Sequence, residues 1–122
     1  STQFVPSVSV YTFDYGKADW LARPSVLLPA SLTDSPAMPI AMSGDGSRFV
    51  VGDTTANEST GAVYVYDWDG IQYSQTAVLV GVSGKLFGFS LSISASGDLV
   101  VVGAPLARSV FTFAIRGTGS SL

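Results

Sequence analysis

The chain has 122 residues, of which 47% are apolar and 12% charged, with six basic and nine acidic residues and a net charge of −3. So apolar and weakly charged a chain is not disordered, and the dispersed bases Lys17, Arg23, Arg48, Lys85, Arg108 and Arg116 form no stripe that would neutralise nucleic-acid phosphates or an anionic membrane surface. Cysteine and histidine are both absent, which removes thiol nucleophiles, disulfides, histidine-based triads and the usual zinc ligand sets, and no apolar run approaches the ~20 residues that span a bilayer as a helix.

Nine strands are expected, separated by Gly, Pro, Ser, Asp and Asn. Residues 8–14 are rich in β-branched and aromatic side chains. The only helical candidate follows at residues 17–23, stopped by Pro24. It overlaps a weaker, Pro-interrupted strand at residues 20–28, which suits a sheet edge. Met38, Ile40 and Met42 alternate with Pro39 and Ala41, and residues 48–52 form a short run of buried type. Residues 62–68 alternate Val63 and Val65 against Tyr64 and Tyr66, and residues 71–80 return after the Trp68-Asp69-Gly70 turn. Phe87, Phe89, Leu91 and Ile93 alternate with Gly88 and serines. Residues 99–103 are wholly apolar, as expected of a central strand covered on both faces. Residues 110–115 form the last strand, and the Ser- and Gly-rich residues 117–122 read as a frayed tail.

A shift of 51 residues superposes two of these segments: Ser43 on Ser94, Gly46 on Gly97, and Val50-Val51-Gly52 on Val101-Val102-Gly103. One strand type recurs three times, near Val10, Val63 and Val110. A period of this length built of short strands predicts four-stranded units, with the chain opening and closing partway through a unit.

Phe87-Gly88, the turn from Ser94 to Gly97, Val100-Val101-Val102-Gly103-Ala104-Pro105 and Gly61-Ala62-Val63-Tyr64-Val65-Tyr66 together resemble the FG-GAP repeat of integrin-α-type β-propellers. The preceding unit is degenerate, with Pro36-Ala37 in place of Phe-Gly and Gly52-Asp53-Thr54 in place of Gly-Ala-Pro. The resemblance covers nearly the whole chain and implies an all-β fold of antiparallel four-stranded blades: a partial blade at residues 1–35, a full blade at 36–85 and a partial blade at 86–116. About two and a quarter blades do not close a ring, since propellers use about four to eight. Other protein chains or further repeats are therefore expected to complete it. On the same resemblance Gly88 lets neighbouring strands approach closely, and Gly103 ends its strand where the chain turns.

The resemblance also brings a calcium loop to mind, since many such repeats place Asp-x-Asp-x-Asp-Gly between their first two strands. Here the place holds Ser43-Gly44-Asp45-Gly46-Ser47 and Ser94-Ala95-Ser96-Gly97-Asp98, with one carboxylate each. Calcium seeks six to eight oxygens, so it is disfavoured, and no cofactor is expected. Asp67-Trp68-Asp69-Gly70 reads as a β-turn. The nine carboxylates supply no pair at a spacing that would define a glycosidase, and the chain is expected not to be an enzyme.

Carried over by position, the partner-facing loops of such propellers fall on residues 53–60, 81–85 and 106–108, which places Asp53, Thr54, Thr55, Glu58, Lys85 and Arg108 as candidate contacts. Asn57-Glu58-Ser59 is an N-glycosylation sequon in the longest polar loop. Trp68 and Tyr73 flank a hairpin tip and are expected to be partly exposed, whereas most other aromatics are expected to pack between sheets. The leading expectation is an extracellular or cell-surface module for adhesion, structure or protein interaction. A carbohydrate-binding module assembled from short chains and a non-catalytic scaffold of a larger extracellular enzyme are the alternatives.

Overall fold

The computed structural model describes residues 6–29, 38–56, 60–81 and 86–115. Their fold is all-β and antiparallel. A bulged two-stranded ribbon comes first. It comprises β1 (Ser7–Val8) paired with β4 (Val26–Leu27) and β2 (Tyr11–Asp14) paired with β3 (Asp19–Ala22). Next is a four-stranded meander of β5 (Ile40–Met42), β6 (Arg48–Asp53), β7 (Ala62–Trp68) and β8 (Tyr73–Val80). The third sheet contains β9 (Ser90–Ile93), β10 (Leu99–Ala104) and β11 (Ser109–Ala114), with β10 in the middle. The repeat is visible in the strands themselves, because a shift of 51 carries β6 onto β10 end to end.

The three sheets stack, and strand alternation decides what each face holds. On one face of the meander Phe49, Val51, Tyr66 and Tyr73 pack against Val8, Val10, Val26 and Leu28 of the ribbon. On the other face Val50, Val63 and Val65 pack against Phe87, which precedes β9, and against Val100, Val102 and Ala104 of the third sheet. Two separate cores result, with β6 buried along its whole length between them.

The second junction is set by glycine. Gly88 has φ +94°, and a Cβ there would lie 2.9 Å from the Ala62 carbonyl oxygen. A Cβ on Gly52 would lie 2.2 Å from the Gly88 carbonyl oxygen. Backbone thus meets backbone between the two sheets, a spacing that only residues without a Cβ allow. Gly61 and Phe87 form a parallel bridge at the same place.

Several sequence expectations are corrected. Residues 17–23 are not helical: Asp14 Oδ1 accepts hydrogen bonds from the Gly16 and Lys17 amides at 2.8 and 3.2 Å, making a turn that leads directly into β3. So short a segment cannot offset the cost of helix nucleation, and the side-chain turn wins. The expected strands at 8–14 and 20–28 are each broken in two, because the ribbon changes register by one residue between Val8↔Val26 and Tyr11↔Ala22. β8 begins at Tyr73 rather than at residue 71, since Asp69 accepts from the Ile71 and Gln72 amides and holds those residues in the turn. β10 is central in its sheet but covered on one face only, with Val100 and Val102 buried and Leu99 and Val101 exposed. Gly103 does not end its strand, which continues to Ala104; its carbonyl accepts from the Gly88 and Phe89 amides, both at 3.2 Å.

Candidate functional site

The residues expected to face a partner divide sharply. Asp53 and Thr54 are buried, which removes them from any binding face. Asp53 Oδ1 instead accepts from the Thr55 amide at 3.0 Å and the Thr55 hydroxyl at 2.6 Å, in a turn at the end of β6. Thr55 is half-buried. Arg108 is exposed, at φ +53° just past a short 3-10 helix at Pro105–Ala107. Asn57, Glu58 and Lys85 lie outside the described residues.

Of the two aromatics at the hairpin tip expected to be partly exposed, Trp68 is half-buried and Tyr73 is buried. Its ring packs edge-on to Phe49 at 5.0 Å, and its hydroxyl donates to the Gly46 carbonyl and accepts from Arg23 Nη1, both at 2.7 Å. The Arg23 guanidinium also lies 4.2 Å above the Trp68 ring. The ribbon is therefore held to the meander by a cation–π and hydrogen-bond clasp as well as by its valines. Tyr73 is drawn inward because Arg23 comes from a distant part of the chain, which no local reading of the hairpin could anticipate.

A second arginine, unmarked by any motif, joins the meander to the third sheet. Arg48 Nε and Nη2 donate to the two carboxylate oxygens of Asp67 at 2.6 and 3.0 Å. Arg48 Nη1 crosses to the third sheet and donates to the carbonyls of Gly97 at 2.7 Å and Ile115 at 3.2 Å. Both side chains of the pair are buried. The sequence carried only a faint signal for it: Arg48 opens the apolar run Phe49-Val50-Val51 and Asp67 follows the Val/Tyr alternation of residues 63–66, and β6–β7 pairing then sets the two side by side.

The loop considered for calcium is organised by its single carboxylate. Asp45 Oδ1 accepts from the Ser47 amide at 2.9 Å, the Ser47 hydroxyl at 2.7 Å and the Ser43 hydroxyl at 3.1 Å. The Ser47 amide, then the Ser47 and Ser43 hydroxyls, hold this carboxyl below the ordinary aspartate value. Asp69 is lowered in the same way by the Gln72 and then the Ile71 amide. A depressed folded-state pKa adds stability that is present above the unfolded value and lost as pH falls through the folded one. Both turns are thus expected to loosen only in acid, below the ordinary aspartate range. Carboxyl-carbon NMR titration should show Asp45 and Asp69 titrating at lower pH than aspartate in a short unstructured peptide, and matching midpoints would refute the assignment. Burial, and secondarily the charge of Tyr64, raises the Tyr66 phenol. Among the described residues no three acidic, histidine or cysteine side chains come together as metal ligands.

Among the described residues, a cleft and two sheet faces stay open. An open cleft of about 440 Å³ lies between the ribbon and the meander, with Ser25, Leu27, Pro29, Gln72 and Gln75 among its lining residues. The outer faces of the two end sheets are also open. The third sheet turns Leu99, Val101 and Val110 outward. On the ribbon, the alternation that buries Val10 turns Tyr11, Phe13 and Trp20 away from the meander. Phe13 sits edge-on between Tyr15 at 4.8 Å and Trp20 at 5.2 Å. Comparison of the chain with models of protein families, with curated proteins and with solved structures returns no match.

Proposed function

We propose that the chain is a non-catalytic structural and protein-interaction module of FG-GAP-like propeller blades, working outside the cell or at its surface and recognising other proteins through the exposed faces of its end sheets. One observation carries this reading. Val50, which packs on the third sheet, is fully buried, while its repeat equivalent Val101 is 37% exposed on the same side of its own strand. A face that the repeat covers once inside the chain is open at its next occurrence. Exposed apolar faces of this kind mark interaction sites. The extracellular placement rests on the motif resemblance.

A carbohydrate-binding role is the second reading, favoured by the cleft that places the Gln72 and Gln75 side chains beside Tyr66 and Tyr73. The two readings separate in one experiment. Purified chain would be applied in parallel to a panel of immobilised extracellular proteins and to a glycan array, with Val110→Glu as the face variant. Protein binding lost in that variant is the expected result. Glycan binding that survives Val110→Glu would favour the cleft and overturn the sheet-face reading.

A further inference from the structure

The stack follows a chemical rule at both of its internal junctions. The ribbon offers an aliphatic face, Val8, Val10, Val26 and Leu28, to an aromatic face of the meander, Phe49, Tyr64, Tyr66 and Tyr73. The meander then offers an aliphatic face, Val50, Val63, Val65 and Leu79, to Phe87 just before β9 and to the third sheet, whose facing side carries Phe111 and Phe113 beside Val100 and Val102. In each case the sheet earlier in the chain supplies aliphatic side chains and the later one adds rings among its own aliphatics, Val51 at the first junction and Val100 and Val102 at the second. The two outermost faces keep the same polarity. The third sheet ends the stack with Leu99 at 46%, Val101 at 37% and Val110 at 68% exposure, interspersed with Ser92 and Thr112. The ribbon begins it with Tyr11 at 59% and Trp20 at 62% exposure.

From this we infer that the occupant of the third sheet's outer face is the ribbon of a second copy of this chain, docked head to tail, aliphatic face against aromatic face. The inference rests on the reading above and names the partner. Position supports it as well as composition. Tyr11 and Phe13 stand at the repeat positions of Tyr64 and Tyr66, which already pack on an aliphatic sheet inside the chain, and Val101 stands at the position of Val50, which packs below a face bearing rings. The contact therefore continues junctions that the fold makes twice. It is heterologous, with different patches on the two copies, so it closes a ring if the rotation permits and otherwise grows a filament.

The test uses the asymmetry of that contact. Sedimentation velocity of the full chain over a wide concentration range should show mass rising with concentration. Val101→Glu spoils the aliphatic face and Trp20→Glu the aromatic one, and each alone should weaken association at least about tenfold, the equivalent of about 1.4 kcal/mol. Mixing the two variants should restore a one-to-one pair that grows no further, because one good face of each kind remains. Both residues are exposed, so folding is retained and is checked by circular dichroism; Val110→Glu and Tyr11→Glu repeat the experiment at independent positions. A one-chain mass at every concentration, self-association that survives Trp20→Glu, or a mixture that does not pair overturns the second copy as occupant. None of those results bears on the protein-panel experiment, so the broader reading stands or falls separately.

Discussion

Asp67→Ala is expected to destabilise the fold by about 3–5 kcal/mol, the range for removing one partner of a buried ion pair. The Arg48 guanidinium would keep the Gly97 and Ile115 carbonyls, at 2.7 and 3.2 Å, but lose both charge-assisted bonds to the carboxylate. A buried cation that loses its carboxylate partner is poorly compensated. Thr76 Oγ1, which donates to Asp67 Oδ2 at 2.8 Å, would lose its acceptor too. Replacing both partners, as Arg48→Met with Asp67→Leu, removes the stranded charge. It leaves the two carbonyls on the third sheet without their donor, at about 1–3 kcal/mol for an unsatisfied buried group. The double variant should therefore fall between wild type and Asp67→Ala. Urea unfolding of the four proteins in a double-mutant cycle measures this. If Asp67→Ala unfolds within 1 kcal/mol of wild type, by the roughly 1 kcal/mol net worth of an ordinary hydrogen bond, the pair does not hold the sheets together.

Phe87→Ala is expected to cost a similar amount, about 3–5 kcal/mol for truncating a buried aromatic ring. The Phe87 ring is buried between the meander and the third sheet, edge-on to Phe111 at 5.6 Å and to Phe113 at 5.7 Å. Its backbone cannot settle inward to fill the space, because Gly52 and Gly88 already bring the two sheets to backbone contact there. A cavity that cannot collapse carries the full penalty. The loss should be regional: amide exchange in β9, β10 and β11 should quicken far more than in the ribbon, which packs on the opposite face of the meander. Uniform quickening across all three sheets would show that the two cores do not unfold separately.

Local chemistry made much of this fold legible. Residues 62–68 alternate Val against Tyr, and β7 forms over that span, with valines toward one core and tyrosines toward the other. The glycines of the two equivalent turns, Gly46 and Gly97, adopt φ +78° and +83°, as turn composition implies. The same period that marked the repeat also carries one strand onto its equivalent. These features are readable because a pleat of period two and a positive φ depend only on a residue and its near neighbours.

The site was less legible, and the misreadings share a cause. Val101 reads as buried within an all-apolar run but is open, Asp53 and Thr54 read as loop surface but are buried, and Tyr73 reads as a hairpin tip but is a core ring. Each outcome was decided by whether another sheet lies over the residue, and by which distant arginine reaches it. The sequence by itself determined strands, turns and a repeated face. Only the stacking of the three sheets decided which copies of that face are covered, because burial is a property of neighbours brought together across the chain rather than of the residue's own segment.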